Sequence, residues 1–189
     1  MTAEYKISQT APTIDNASEA SRPLLESAQS ALGFVPEMYR HMAKAPGVLS
    51  TYMHGYEQFR ENSGLKPAEQ EVIFLTISRE NGCGYCMGAH SMLADKVSGV
   101  PEDTLKALRE GKKIPDERLA ALSRFTQVMF RTRGMPGQDD VQAFLDAGFE
   151  ESDIMQIILA LAVKTLSNYS NHINQPDLDE AFAGHKWQG

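Results

Sequence analysis

Apolar residues recur along most of this chain at intervals of three and four, the spacing that lines one face of an α-helix. Pro23–Leu32 reads as a short helix closed by Gly33, Pro36 to about Ala43 as a second, and Pro46 opens a third that runs to about Asn62. Leu65-Lys66-Pro67 starts a helix with proline in its first turn, Glu69 and Glu71 near its positive end, and a stop at Asn81-Gly82. Its β-branched run Val72–Ile77 also fits a buried strand, but the helix formers ahead of it and the lack of any other strand candidate favour a helix. Further helices are expected from Cys83 through Lys96 to a Gly99 stop, over Pro101–Arg109, and over Pro115–Arg131 with Leu119, Leu122, Phe125 and Met129 on one side. Val141–Ala147 makes a short one, and a long one capped by Ser152 or Asp153 runs through Ile157, Leu161 and Leu166 toward His172. No hairpin signal separates any two of these runs, so the expected fold class is all-α.

Two stretches echo one another. Ala68–His90 and Glu150–His172 both pass from acidic residues through an apolar helix to an asparagine and then a histidine. An old duplication and two helices of similar length explain this equally well.

Composition narrows the functional classes. With 42% hydrophobic and 23% charged residues, the chain of 189 residues is built to fold rather than to stay disordered. Residues 1–22, rich in Thr, Ser, Asn and Ala, read as an N-terminal arm or strap, and 23–189 as one helical domain. A net charge of -7, spread along the chain, argues against nucleic acid as a partner. The first residues carry no basic start followed by an apolar run, and no stretch approaches a membrane span, so the expectation is a cytoplasmic protein without a membrane partner.

The chain holds two cysteines, and they stand three apart in Cys83-Gly84-Tyr85-Cys86. Thiols at i and i+3 in the first turn of a helix lie on one face, close enough to be held reduced or joined as a disulfide. The positive end of the helix dipole favours the thiolate there. In a reducing compartment a four-residue loop is seldom a structural disulfide, which leaves redox chemistry or a metal. His90, one turn beyond Cys86, falls within proton-transfer reach of it. Glu71, on the preceding helix, can orient His90 if the two helices pack antiparallel. Cys83, Cys86, His90 and Glu71 also make a conceivable zinc shell, but structural zinc sites pair two separated ligand clusters, whereas three of these candidates share one short segment. No metal and no cofactor is therefore expected. The methionines Met38, Met42, Met53, Met129 and Met155 read as core or subunit interface, and His172 and Trp187 as structural.

Glu71, eleven residues, then Cys83-Gly84-Tyr85-Cys86-Met87-Gly88-Ala89-His90 resembles the signature of the alkylhydroperoxidase D (AhpD) and carboxymuconolactone decarboxylase family, in its peroxidase-related branch. Leu32-Gly33-Phe34-Val35-Pro36-Glu37 and Leu65-Lys66-Pro67-Ala68-Glu69 match the lead-in of that branch, so the resemblance spans roughly Leu32 to Gly99. It implies an AhpD-like helical fold assembled as trimers or hexamers and a peroxide-reducing activity sustained by a dithiol or protein reductant. Carried over, Cys86 is the attacking thiolate, Cys83 the resolving thiol, and His90 with Glu71 the proton relay. Tyr85 stands where the founding hydroperoxidase has a second relay histidine. A phenol titrates near 10 and is a poor base at neutral pH, so the sequence supports a thiol oxidoreductase more firmly than an efficient peroxidase. The alternatives are lactone decarboxylation, the family's other activity, which needs no dithiol, and a Cys/His metal-binding protein.

Overall fold

The structure, a computed structural model, describes residues 3–189; the first two residues of the expected arm lie outside the described residues. The chain forms helices α1 (Arg22–Leu32), α2 (Glu37–Met42), α3 (Pro46–Asn62), α4 (Pro67–Glu80), α5 (Gly84–Lys96), α6 (Glu102–Glu110), α7 (Glu117–Arg131), α8 (Gln138–Asp146) and α9 (Glu151–Asn174), followed by a 3₁₀ turn at Glu180–His185. No strand occurs among the described residues, and the fold class is all-α.

Local chemistry accounts for most of the boundaries. Prolines open α1, α3 and α4, where the missing N–H has no intrahelical partner in any case. Three boundaries depart from expectation. α7 starts at Glu117 rather than Pro115, because the Asp116 carboxylate caps it by accepting from the Leu119 N–H at 2.8 Å. α8 starts before Val141 because the Asp140 carboxylate accepts from the Gly137 N–H, 3.3 Å away. α9 is capped at neither Ser152 nor Asp153 in the expected sense: the cap is Glu150, and Asp153 reaches back from inside the first turn to accept its N–H at 2.9 Å. The 3₁₀ turn carries no sequence signal. Distant groups hold it: Arg109 donates to the His185 and Lys186 carbonyls at 3.0 and 2.9 Å, and the Trp187 indole donates to the Arg109 carbonyl at 2.9 Å.

α4 occupies the centre and packs against α5, α6, α7 and α9. Ten consecutive residues, Glu69–Ser78, are buried, as a helix surrounded on every side requires. This explains why its sequence resembles a strand: a helix with no solvent face loses amphipathic periodicity. Part of the N-terminal segment lies against the helices, and α1 begins at Arg22, the last residue of the expected arm. Ile7 N–H donates to the Ile173 carbonyl at 2.9 Å, and Arg40 reaches the Ala11 and Pro12 carbonyls at 3.3 and 3.1 Å, tying the arm to α2 and α9.

The reversal between α4 and α5 sets up the site. Gly82 adopts φ 68°, which a side chain would disfavour, and Cys83 N–H returns to the Ser78 carbonyl at 2.9 Å. α5 therefore starts tightly against the end of α4 and runs back along it. Its other side lies close under the C-terminal segment, where a Cβ on Gly88 would stand 3.0 Å from Leu178.

Candidate active site

Cys83 is the N-cap of α5, with extended backbone angles, and Cys86 lies one turn into the helix. Both sulfurs are free thiols and buried, at 1% exposure. The Asn171 amide of α9 donates to both, at 3.6 Å to Cys83 and 3.3 Å to Cys86. Shared contact with one amide nitrogen holds the two sulfurs on the same side of the helix start.

The two thiols are unequal. Cys83 holds its proton toward Cys86, and this together with burial pushes its thiol well up. For Cys86, burial acts in the same direction but is outweighed by that hydrogen bond and by the Lys164 charge, so its thiol lies well below the ordinary range. Lys164, on α9, is fully buried. Its ammonium has no hydrogen-bond partner among the described residues, and it lies over the Phe74 ring at 5.4 Å and near enough to Cys86 to favour the thiolate. A buried cation without an anion nearby is costly, and the lowered Cys86 thiol is the group beside it that can supply one.

His90, one turn beyond Cys86 on α5, bonds through Nδ1 to the Glu71 carboxylate at 2.9 Å. That leaves Nε2 for the cavity at Cys86. Burial and the Lys164 charge lower the His90 pKa despite Glu71, so the ring is neutral near pH 7 and able to take a proton. Glu71 is itself fully buried. Burial would raise its carboxyl, but His90 and the Arg60 guanidinium outweigh it and hold the group below the usual carboxylate range. Arg60, from the last turn of α3, also donates to Tyr56 Oη at 2.8 Å and to Gln70 at 3.1 Å. The result is a fixed chain from Arg60 to Glu71 to His90 to the Cys86 region.

The Tyr85 hydroxyl does not join this chain. It donates to Asp179, just before the 3₁₀ turn, and not to His90 or Glu71. Burial, then the Asp179 carboxylate, pushes its phenol far up, so it keeps its proton. Of the residues singled out in the sequence, Cys83, Cys86, His90 and Glu71 converge, while Tyr85 serves as a tether. Among the described residues no three His, Cys, Asp or Glu side chains are placed to hold a metal ion.

Sequence reasoning missed Arg60, Lys164 and Asn171. The signal for the two on α9 was present: its buried positions are Ile157, Ala160, Val163, Lys164, Ser167, Asn168, Asn171 and Asn174, an apolar stripe that turns polar at unbroken helical spacing. Arg60 left no such trace.

Two cavities flank the pair. Cys86 and His90 line one of about 300 Å³, walled by Phe34, Tyr39, Tyr52, Tyr56, Tyr85 and Phe182. Its aromatic rings continue as a series, with Tyr52 on Tyr56 at 5.8 Å, Tyr56 on Phe74 at 5.5 Å, and Phe74 against His90 at 4.8 Å. Cys83 lines a second cavity of about 210 Å³ on the side of α9.

Residues 46–123 match the model of the carboxymuconolactone decarboxylase family. No curated protein matches the sequence. Among solved structures, the chain is similar to the alkylhydroperoxidase AhpD core of a peroxidase-related protein from Ralstonia eutropha JMP134, with 21% identity and a TM-score of 0.79 over 92% of this chain and 93% of that one. A peroxidase-related protein from Silicibacter sp. TM1040 aligns with 22% identity and a TM-score of 0.76 over 95% and 97%. The debrominase Bmp8, solved as a cysteine-to-alanine variant in complex with 2,3,4-tribromopyrrole, aligns with 15% identity and a TM-score of 0.75 over 95% and 96%. The Glu71, Cys83, Cys86 and His90 signature falls inside the segment that matches the carboxymuconolactone decarboxylase family model, and nearly the whole chain shares the AhpD-like fold of these structures.

Proposed function

We propose that the protein is a dithiol oxidoreductase that reduces an organic hydroperoxide at Cys86. The observation carrying this reading is the inequality of the thiols: Cys86 is favoured as thiolate and faces a cavity shared with a neutral His90, while Cys83 retains its proton beside it. The Cys86 thiolate attacks the terminal peroxide oxygen and the O–O bond breaks, leaving sulfenic acid on Cys86 and an alkoxide that takes a proton and departs as the alcohol. Cys83 then attacks the Cys86 sulfur and expels water, with His90 and Glu71 passing protons, and an outside dithiol reopens the disulfide. The aromatic walls suit an apolar body better than hydrogen peroxide alone.

The test is a thiol count before and after one equivalent of cumene hydroperoxide. Wild type is expected to lose both thiols to a reducible disulfide, and Cys83→Ser to stop at sulfenic acid on Cys86. Thiols that survive excess peroxide would refute the reading.

A second reading rests on the same aromatic cavity, which also admits a flat halogenated ring, as the structural similarity to a debrominase with a bound tribromopyrrole suggests. There the dithiol would supply two electrons to replace halogen by hydrogen, and halide release with disulfide formation would reveal it. Lactone decarboxylation needs no dithiol, so a Cys83→Ser, Cys86→Ser double variant that kept full lactone activity would favour it. The exposed apolar residues Met155, Ile158, Tyr169 and Ile173 of α9 support a homo-oligomer. No helix among the described residues is long and apolar enough to cross a membrane.

A further inference from the structure

Cys86 and Cys83 open to different spaces. The aromatic cavity is lined by Cys86 and His90 but not by Cys83. The second cavity, of about 210 Å³, is lined by Cys83, Gly84, Asn171, His172, Gln175 and Pro176 but not by Cys86. A substrate and a reductant of any size cannot occupy one small cavity together, and here two cavities meet at the two sulfurs.

His172 gives the second cavity its chemistry. It stands one position beyond Asn171, the residue whose amide touches both sulfurs, and packs its ring on Tyr169 at 6.3 Å. Its Nε2 is shielded from solvent and has no hydrogen-bond partner among the described residues. A ring nitrogen left unpaired in this way is available to a molecule entering the cavity. The sequence echo between Ala68–His90 and Glu150–His172 acquires a physical counterpart: the first histidine lines the cavity of Cys86, the second the cavity of Cys83.

Resting on the dithiol reading above, we infer that the second cavity is the reductant's entry site, where an external dithiol attacks the oxidised enzyme at the Cys83 sulfur and His172 Nε2 takes the proton of the incoming thiol. The step balances. The incoming sulfur bonds to Cys83 Sγ, the Cys83–Cys86 bond breaks, and its electron pair leaves on Cys86 as thiolate. The reductant's second thiol loses its proton to solvent and attacks its own sulfur in the mixed disulfide, releasing Cys83 as thiolate, which recovers the first proton from His172 while Cys86 remains a thiolate. The enzyme ends with two reduced cysteines and the reductant as a disulfide.

Leaving-group chemistry selects the same sulfur as access does. Exchange is faster when the departing thiol is the more acidic, and Asn171 and Lys164 stabilise a thiolate on Cys86. Attack at Cys83 expels that thiolate, whereas attack at Cys86 would expel the thiolate that burial disfavours. Burial lowers the His172 pKa, so its ring is neutral and ready to accept near pH 7.

The experiment starts from protein whose disulfide has been formed with diamide, so it does not depend on any peroxide activity. Reduction by dithiothreitol and by a water-soluble phosphine, which carries no thiol proton to remove, is followed for wild type and His172→Asn. Dithiothreitol reduction of the variant near pH 7 is expected to slow by about tenfold or more, with phosphine reduction unchanged. In parallel, oxidised wild type is treated with glutathione and the adduct is located by fragment mass, with Cys83 expected. An adduct on Cys86, an unchanged dithiothreitol rate, or equal slowing with both reductants would overturn the inference. Failure of diamide to form a disulfide would instead count against the dithiol reading itself.

Discussion

Replacing Lys164 by methionine separates the electrostatic role of the lysine from its packing. The side chain is fully buried, and its favourable neighbours are the Phe74 ring and the Cys86 sulfur. An ammonium a few ångströms from a thiolate, at an effective dielectric of about 20, stabilises it by roughly 3 kcal/mol. Since about 1.4 kcal/mol is a factor of ten, the Cys86 ionisation constant should fall about a hundredfold in the variant, which moves the thiolate titration up by about two pH units. Stability is expected to move the other way. Methionine fills a similar volume without a charge to desolvate, and Cys86 can then remain a neutral thiol, so unfolding free energy should be unchanged or higher by about 1–2 kcal/mol. The assays are the ultraviolet thiolate absorbance against pH, with Cys86→Ser as the baseline, and urea unfolding of both proteins. A variant that unfolds more easily by about 2 kcal/mol while its thiolate titration stays in place would refute the reasoning, because Lys164 would then be a packing residue only.

Two further expectations follow from the same buried network. Glu71→Ala leaves the Arg60 guanidinium and the His90 ring without their shared carboxylate, a loss of about 3–5 kcal/mol in urea unfolding, and a change under about 1 kcal/mol would show that the chain from Arg60 to His90 is not formed. Stability should also fall as pH drops from 7 toward 5. His90 is held below its unfolded value of 6.5 by burial and Lys164, and His41 and His172 are lowered chiefly by burial, so below about 6.5 the unfolded chain binds more protons than the folded one. The Glu71 carboxyl, lowered in the fold, contributes stability above its unfolded 4.5 that is lost as pH falls further through its folded value. A urea midpoint that held steady or rose between pH 7 and 5 would contradict the buried neutral histidines.

Helix order and boundaries were legible in the chain because they rest on local physics: prolines that cannot donate at a first turn, side chains that cap, and a period of three to four that marks one buried face. The meeting of Cys83, Cys86, His90 and Glu71 was also legible, because i+3 and i+4 spacing fixes neighbours on one helix and a single tight turn at Gly82 brings the preceding helix alongside. What decides the character of the site came from elsewhere in the chain. Arg60 lies eleven residues before Glu71, Lys164 and Asn171 lie about eighty residues after the thiols, and Asp179 draws the Tyr85 hydroxyl away from the histidine. Spacing specifies which side chains share a helix face, but which face meets which is set by how α3, α4, α5 and α9 pack around one core. That packing raises one thiol and lowers the other, and gives each its own cavity.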